Sequence, residues 1–461
     1  MPIQLKKKPP LGAIPITVID KSGYPALAAN LPAATARWLD TVGFHAAADS
    51  HALLPNAEGQ LQHVFAGIAH AQDPFALAAL PMALPQGHYT LADQGLALPP
   101  ELAAMSWELG GYGFDRYKPR RREAATLTLP ASPATERGLA QAKAIAMARD
   151  LVNTPAEHMG PAELAKAAQA LAKHHGATFK QVQGESLLKQ NFPAIHAVGR
   201  ASSRAPRLIE LNWGKAKHPR LCIVGKGVCF DSGGLDIKGA EGMRLMKKDM
   251  GGAANALALA DLVMAHKLPV RLQVLIPAVE NSISGNAYRP GDIIRTRKGL
   301  QIEIGNTDAE GRVILCDALA YAAESEPELI IDLATLTGAA RVALGPQLPA
   351  LFCRQMAPAR QLVDLGLRLE DPLWHMPLWG PYKSGIESLV GDIVNTGRNP
   401  MAGAINAALF LEYFVPEHQD WLHIDLFAWN DGPRPGRPLG GEAQTIRTLL
   451  VYLEQRFAQP E

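Results

Sequence analysis

Asn306-Thr307-Asp308-Ala309-Glu310-Gly311-Arg312 is the stretch of this sequence that decides the fold. Residues 300–304 before it alternate between apolar and polar side chains, which is typical of a half-buried strand. Residues 313–319 after it begin a helical pattern. A loop that joins a strand to a helix is a usual place for a functional site in an α/β fold. The stretch therefore predicts an α/β protein with two carboxylates at such a junction.

The two carboxylates of this loop have two interpretations. Thr307 followed by Glu310 forms a capping box, which would make the loop only the start of a helix. However, Gly311 is unfavourable in a first helical turn, and Asp308 and Glu310 can converge on one point if the backbone is not yet helical. Converging carboxylates repel each other unless a cation lies between them. The loop by itself leaves a helix cap and a metal site open.

A second stretch adds residues of the kind that bind metal ions. Residues 224–238 and 246–252 contribute three aspartates and several lysines among glycines. The candidate metal-ligating carboxylates are Asp231, Asp249, Asp308 and Glu310, and Lys226 lies close to the first of them in the sequence. Four carboxylates without histidine or cysteine form a hard, oxygen-rich set that suits Zn²⁺, Mn²⁺ or Mg²⁺ and argues against a structural zinc site.

Both stretches resemble the leucyl aminopeptidases, also called cytosol aminopeptidases, which are two-metal exopeptidases. Residues 306–312 match the signature loop of that family, and the spacing of Lys226, Asp231, Lys238 and Asp249 matches as well. The resemblance runs from about residue 148 to the C-terminus and is weak before it. Cys316 stands where alanine is usual, and residues 432–442 depart from the family pattern, which leaves the preferred first residue open.

The resemblance implies a role for each candidate ligand. Lys226, Asp231, Asp249 and Glu310 would hold one ion, and Asp231, Asp308 and Glu310 would hold the other. A lysine ligand needs a neutral amine, which two nearby cations favour. The alternative for Lys226 is an ordinary ion pair with Asp231. The implied cofactors are two divalent ions per subunit, Mn²⁺ or Zn²⁺.

The resemblance also implies the catalytic and substrate-binding residues. A hydroxide held between the metals would attack the scissile carbonyl, Lys238 would stabilise the oxyanion, and Arg312 would hold a bicarbonate that acts as general base. Lys247 and Lys248 are expected to be solvated or to lie just behind the ligands. The expected pocket for a leucine-like first side chain is formed by Met246, Asn306, Ala309, Thr335 and Gly338.

The order of the patterns predicts two domains. The 461 residues are too many for one ordinary domain. Residues 1–132 predict a smaller, divergent N-terminal α/β domain, and residues 133–461 predict the catalytic domain, beginning with a linking helix at 133–155. Alternating strand and helix patterns predict a mostly parallel sheet flanked by helices on both faces. Residues 194–198 are interpreted as a strand, and residues 292–304 as a hairpin.

Composition narrows the class of protein. Hydrophobic residues make up 48% and charged residues 19%, which indicates a globular chain. A net charge of +1 makes nucleic acid an improbable partner and gives no reason to expect a membrane surface. The four cysteines lie far apart and are expected to be buried free thiols. With no signal-peptide pattern, we expect a cytoplasmic protein.

Two other functions compete with a peptidase. A DNA-binding or scaffolding protein that retains a peptidase fold is the main alternative, although the near-neutral charge and the lack of a basic stripe in residues 1–130 count against it. A two-metal phosphoesterase fits the carboxylates alone, but such sites usually include histidine. Peptide substrates and a homohexamer are implied by the resemblance.

Overall fold

The computed structural model describes residues 2–458, which divide into two compact units. One unit contains the residues up to 146 together with 432–439, and the other contains 147–431 and the residues from 440 onward. The division falls inside a helix, whereas the sequence places a domain boundary at its start. The start of the helix belongs to the first unit because Arg137 and Gln141 both donate hydrogen bonds to Glu101, at 3.0 and 2.6 Å.

The first unit contains a six-stranded sheet in the order β1-β6-β5-β2-β4-β3. Its strands are β1 (Ile3–Leu5), β2 (Ile14–Asp20), β3 (His51–Pro55), β4 (Leu61–Ile68), β5 (His88–Leu91) and β6 (Thr126–Leu129). The pairs are parallel except for β3 with β4. The helices are α1 (Tyr24–Asn30), α2 (Ala33–Thr41), α3 (Leu80–Ala83), α4 (Pro100–Gly110) and α5 (Pro133–Asn153), which continues into the second unit.

The second unit is built on a nine-stranded sheet. The strands of this unit are β7 (Thr178–Gln183), β8 (Arg207–Trp213), β9 (Arg220–Gly225), β10 (Gly227–Asp231), β11 (Arg271–Asn281), β12 (Ile293–Arg295), β13 (Gln301–Glu303), β14 (Leu329–Ala334), β15 (Ala350–Cys353), β16 (Trp374–Met376), β17 (Ile393–Val394), β18 (Trp421–Asp425), β19 (Trp429–Asn430) and β20 (Gly440–Gly441). The large sheet has the order β16-β15-β18-β14-β9-β11-β8-β7, with β10 also paired to β11. Its centre, β18-β14-β9-β11, is parallel, which confirms the predicted fold class.

Helices cover both faces of this sheet. They are α6 (Pro161–His175), α7 (Ser186–Lys189), α8 (Pro193–Gly199), α9 (Ala240–Met243), α10 (Gly251–Ala265), α11 (Glu310–Ala323), α12 (Gly338–Leu344), α13 (Met356–Arg368), α14 (Gly403–Glu412) and α15 (Ile446–Arg456). Cys222 and Val224 of β9 share a buried cluster with Leu315 of α11. The alternate residues Leu221 and Ile223 are also buried, and α10 packs against β9 as well. Because neighbouring strand residues face opposite ways, the two helices cover opposite faces.

The prediction of a strand at residues 194–198 is wrong. These residues lie in α8, which begins at Pro193. A short apolar run does not distinguish a buried strand from a buried helix, and proline is favoured in a first helical turn. One carboxylate oxygen of Asp317 accepts hydrogen bonds from the amides of Ala194 and Ile195, at 2.8 and 3.3 Å, so a distant side chain caps this helix.

Other expectations about the chain are confirmed. β12 and β13 pair antiparallel as the predicted hairpin, with Ile294 opposite Ile302. All four cysteines are free and buried. Among residues 2–458, no helix is both long enough and apolar enough to cross a bilayer.

Candidate metal centre and substrate cavity

The loop at residues 306–312 is not a helix cap. Helix α11 begins at Glu310, and its N-cap residue Ala309 makes no side-chain capping bond. The Thr307 hydroxyl donates to the carbonyl of Gly233 at 2.6 Å, and the Thr307 amide donates to the Asp236 carboxylate at 2.7 Å. The capping-box interpretation therefore fails, because the Thr307 hydroxyl is engaged with the loop that follows β10 and the Glu310 carboxylate pairs with Lys226.

Side chains from distant parts of the sequence hold this loop in place. The Asn281 side-chain amide donates to the carbonyl of Thr307 at 3.0 Å and to Asp231 at 2.8 Å. The Tyr288 hydroxyl donates to the same carbonyl at 2.6 Å. Asn395 donates to the carbonyl of residue 306 and accepts from the amide of residue 305, at 2.7 and 2.8 Å. Sequence reasoning missed Asn281, Tyr288 and Asn395, since none lies near the motif in the chain.

The fold brings the five candidate metal-ligating residues together. Lys226 follows β9, and its Nζ lies 2.7 Å from Asp249 Oδ2 and 2.9 Å from Glu310 Oε1. Asp231 ends β10, and one oxygen each from Asp231, Asp308 and Glu310 lie within 4.8 Å of one another. The ion-pair partners of Lys226 are thus Asp249 and Glu310, rather than the Asp231 of the alternative interpretation.

Gly311 makes room for Lys226. A Cβ atom built on Gly311 would lie 2.5 Å from Lys226 Cε and 2.8 Å from its Nζ, closer than real Cβ contacts. Lys226 therefore passes directly over the first turn of α11. This contact explains why a residue with poor helix propensity stands at the second position of the helix.

The electrostatics of the cluster fit a divalent cation. Burial and the charge of Asp231 raise the pKa of Glu310 to about 8, although Lys226 lies beside it. Burial and Asp231 also raise the pKa of Asp308 to about 6. Glu310 Oε2 is buried and has no hydrogen-bond partner among residues 2–458. Hard oxygen donors that crowd one another, one of them unsatisfied, are the donor set expected for such an ion.

Lys238 and Arg312, the two predicted catalytic cations, occupy different surroundings. Lys238 forms ion pairs with Asp231, at 2.8 Å, and with Asp308. Arg312 is buried, and its Nη1 donates to the carbonyl of Asn395 at 2.8 Å. Burial lowers the pKa of Arg312 to about 10, opposed by Glu310 and Asp425. Lys238 lines the cavity beside the carboxylates, whereas Arg312 is not one of its lining residues.

A cavity of about 780 Å³ adjoins the carboxylates. Three of the predicted pocket residues, Met246, Thr335 and Gly338, line it, whereas Asn306 and Ala309 are not part of its wall. The side chain of Asn306 instead turns back along the loop and accepts a hydrogen bond from the amide of Asp308 at 2.7 Å. The hydrogen bond within the loop thus engages the Asn306 side chain outside the cavity lining.

Lys248 also lines this cavity, and its burial excludes the solvated half of the expectation and fits the other half, a lysine just behind the ligand Asp249. Its exposed fraction is 5%, and its Nζ lies 4.5 Å from the centroid of the Phe427 ring. Burial lowers the pKa of Lys248 to about 8. Its neighbour Lys247 points elsewhere, donating to the carbonyl of Asn153 at 2.6 Å. A 3-10 helix (Met246–Met250) separates the two side chains, which adjacency in the sequence does not reveal.

Comparison with protein families agrees with this geometry. Residues 146–450 match the model described as cytosol aminopeptidase family, catalytic domain. The chain belongs to the cytosol aminopeptidase family. Residues 14–130 match the M17 aminopeptidase N-terminal domain, so the resemblance extends into the part of the chain where the motifs are weak.

Individual relatives support the same assignment. A probable cytosol aminopeptidase of Syntrophotalea carbinolica is 42% identical over 365 residues, which cover 75% of this chain and 73% of the relative. The crystal structure of a cytosol aminopeptidase from Coxiella burnetii is 47% identical, with a TM-score of 0.94 and 99% of each chain covered. The bottromycin maturation enzyme BotP in complex with Mn is 32% identical, with a TM-score of 0.86, covering 96% of this chain and 99% of BotP.

These relationships establish the class of reaction. The protein is a metal-dependent aminopeptidase, a hydrolase that acts on peptides. They lend no support to the DNA-binding alternative.

Proposed function

We propose that this cytosol aminopeptidase removes the first residue of peptides with two divalent ions bound at the carboxylate cluster. The observation that carries the proposal is the convergence of Asp231, Asp308 and Glu310 within 4.8 Å, with Lys226 bridging Glu310 to Asp249. Asp231 and Glu310 would contact both ions. When bound, a pair of such ions lowers the pKa of a water and polarises a carbonyl oxygen.

The chain's own residues then orient the peptide and stabilise charge. Lys238 lines the cavity, and there it forms ion pairs with Asp231 and Asp308. We assign it to the negative charge that develops on the scissile carbonyl oxygen, because a cation beside that oxygen lowers the barrier. Arg312, with a planar donor group, would hold a bicarbonate ion that accepts and returns a proton.

Several finer properties belong to the same proposal. The manganese complex of BotP supports Mn²⁺ as one ion that this site takes, with Zn²⁺ as the other candidate. Met246 and Thr335 suit a leucine-like first side chain. A homohexamer in the cytoplasm is the expected working form, and sedimentation of a monomer at micromolar concentration would contradict the hexamer.

The experiment that tests the function measures amino-acid release from a panel of aminoacyl amides. The purified protein is assayed as isolated, after dialysis against a chelator, and after addition of Mn²⁺ or Zn²⁺. We expect chelation to abolish hydrolysis and either metal to restore it. Undiminished hydrolysis by protein shown to be free of metal would refute the proposed role of the carboxylate cluster.

A further inference from the structure

Lys248 is a buried cation that makes no direct ion pair with any carboxylate of residues 2–458. Its exposed fraction is 5%, yet its Nζ forms no hydrogen bond or ion pair with the residues that the structure describes. The Nζ lies over the face of the Phe427 ring, and the side chain lines the substrate cavity. Burying an ammonium without an anion is costly, so a group that enters the cavity is the expected partner.

A second cation shares the same aromatic ring. The guanidinium carbon of Arg341 lies 4.9 Å from the centroid of Phe427, and Arg341 also lines the cavity. Each cation gains some stability from the aromatic face, but the two repel each other, and because Arg341 is exposed, solvent screens part of this repulsion. An anion placed between Lys248 and Arg341 would relieve that repulsion.

The nearby carboxylates are already engaged. Asp249 contacts Lys226 at 2.7 Å and accepts a hydrogen bond from the Thr335 hydroxyl at 2.9 Å. Asp425 accepts from the amides of residues 336 and 337 and, at 2.6 Å, from the Thr337 hydroxyl. Asp431 and Glu241 also line the cavity, but both are exposed to solvent. None of them forms an ion pair with Lys248.

We propose that Lys248, assisted by Arg341, binds a carboxylate of the peptide substrate and so determines specificity. The inference rests on the proposed peptidase function, since carboxylates are the anionic groups that ordinary peptides carry. A buried ammonium discriminates strongly between a carboxylate and the neutral amide of the same shape, because only the carboxylate neutralises it. Met246 and Leu336 on the same wall supply apolar surface for the carbon chain that leads to the carboxylate.

Two carboxylates of a peptide fit this description. One is the side chain of a first residue such as glutamate, and the other is the C-terminus of a dipeptide. Glutamyl and glutaminyl p-nitroanilides differ only in the side-chain group and carry no terminal carboxylate. Leucylglycine and leucylglycine amide differ only at the C-terminus. Comparing the two pairs identifies which carboxylate Lys248 contacts.

The test measures kcat/KM for both pairs with the metal-loaded wild-type protein and with Lys248→Met. For at least one pair, we expect the wild type to favour the carboxylate about tenfold to a hundredfold, and Lys248→Met to reduce that ratio to about one. Lys247→Met is the matched control, since it removes a neighbouring lysine whose amine points to Asn153, away from the cavity lining. It should keep the wild-type ratio, and Lys248→Arg should restore most of the preference.

Metal content of each variant shows whether the neighbouring ligand Asp249 is undisturbed. The inference is overturned if the wild type has no preference in either pair, or if Lys248→Met retains the preference.

A failure of the proposed function is recognised separately, because the protein would then hydrolyse none of the substrates, including leucine amides. In that case calorimetry on the metal-loaded protein compares binding of glutamate with glutamine, and of leucylglycine with its amide. Tighter binding of one carboxylate that disappears in Lys248→Met supports the inference without turnover, and equal binding within both pairs overturns it.

Discussion

Replacement of Gly311 by alanine separates the stability of the fold from the geometry of the site. Alanine is favoured over glycine inside a helix by about 1 kcal/mol. The new Cβ, however, would lie 2.5 Å from Lys226 Cε, whereas ordinary contacts begin at 3.4 Å. The lysine must therefore move by about 1 Å, away from the positions that place its amine 2.7 and 2.9 Å from Asp249 and Glu310.

The expected result is a folded protein with a damaged site. A displacement of about 1 Å in a catalytic arrangement costs about a hundredfold in rate, which corresponds to about 2.7 kcal/mol of transition-state stabilisation. We expect kcat/KM for a leucine amide to fall by about that factor and metal content to decrease, while the thermal midpoint stays within a few degrees of wild type.

Gly385→Ala is the matched control, because a Cβ on Gly385 would meet no atom within 4 Å. It should leave both activity and metal content unchanged. Gly311→Ala with wild-type kcat/KM and two ions per subunit would refute the idea that the lysine's position depends on this glycine.

Three further predictions follow from the site and its support. An N-acetylated peptide should be inert where the free peptide is cleaved, because acetylation removes the amine that the metals would bind; equal cleavage would contradict an exopeptidase. Lys238→Ala should keep both ions but lower kcat by about 10²–10³, the usual loss for one oxyanion donor, whereas Asp249→Ala should also lose metal; loss of an ion in Lys238→Ala would refute its assigned role. Asp317→Ala should destabilise the fold by about 1–3 kcal/mol, because the amides of residues 194, 195 and 297 lose their acceptor, and urea unfolding with an unchanged midpoint would contradict this.

The sequence by itself determined the chemistry of the site. Asp308 and Glu310 are two residues apart in one short stretch, and Asp231 and Asp249 are each close to glycines that allow tight turns. The types of donor and their spacing can therefore be read from the sequence alone. The parallel sheet was predictable for a similar reason: strand and helix patterns alternate, and a strand buried on both faces is continuously apolar. The donor types and the strand and helix patterns depend on residues that are neighbours in the sequence, so they could be predicted without the structure.

Only the tertiary structure decided which side chains face one another. Residues 194–198 have the same apolar pattern in a strand or a helix, and the distant Asp317 carboxylate that caps them settles the matter. Asn281 and Asn395 hold the loop from distant segments. The sequence left Lys248 either solvated or just behind the ligands, and a turn of 3-10 helix places it buried over the Phe427 ring in the cavity. The physical reason is that the burial of a side chain and its contact partners depend on segments that are far apart in the chain. A local sequence pattern contains no information about those segments.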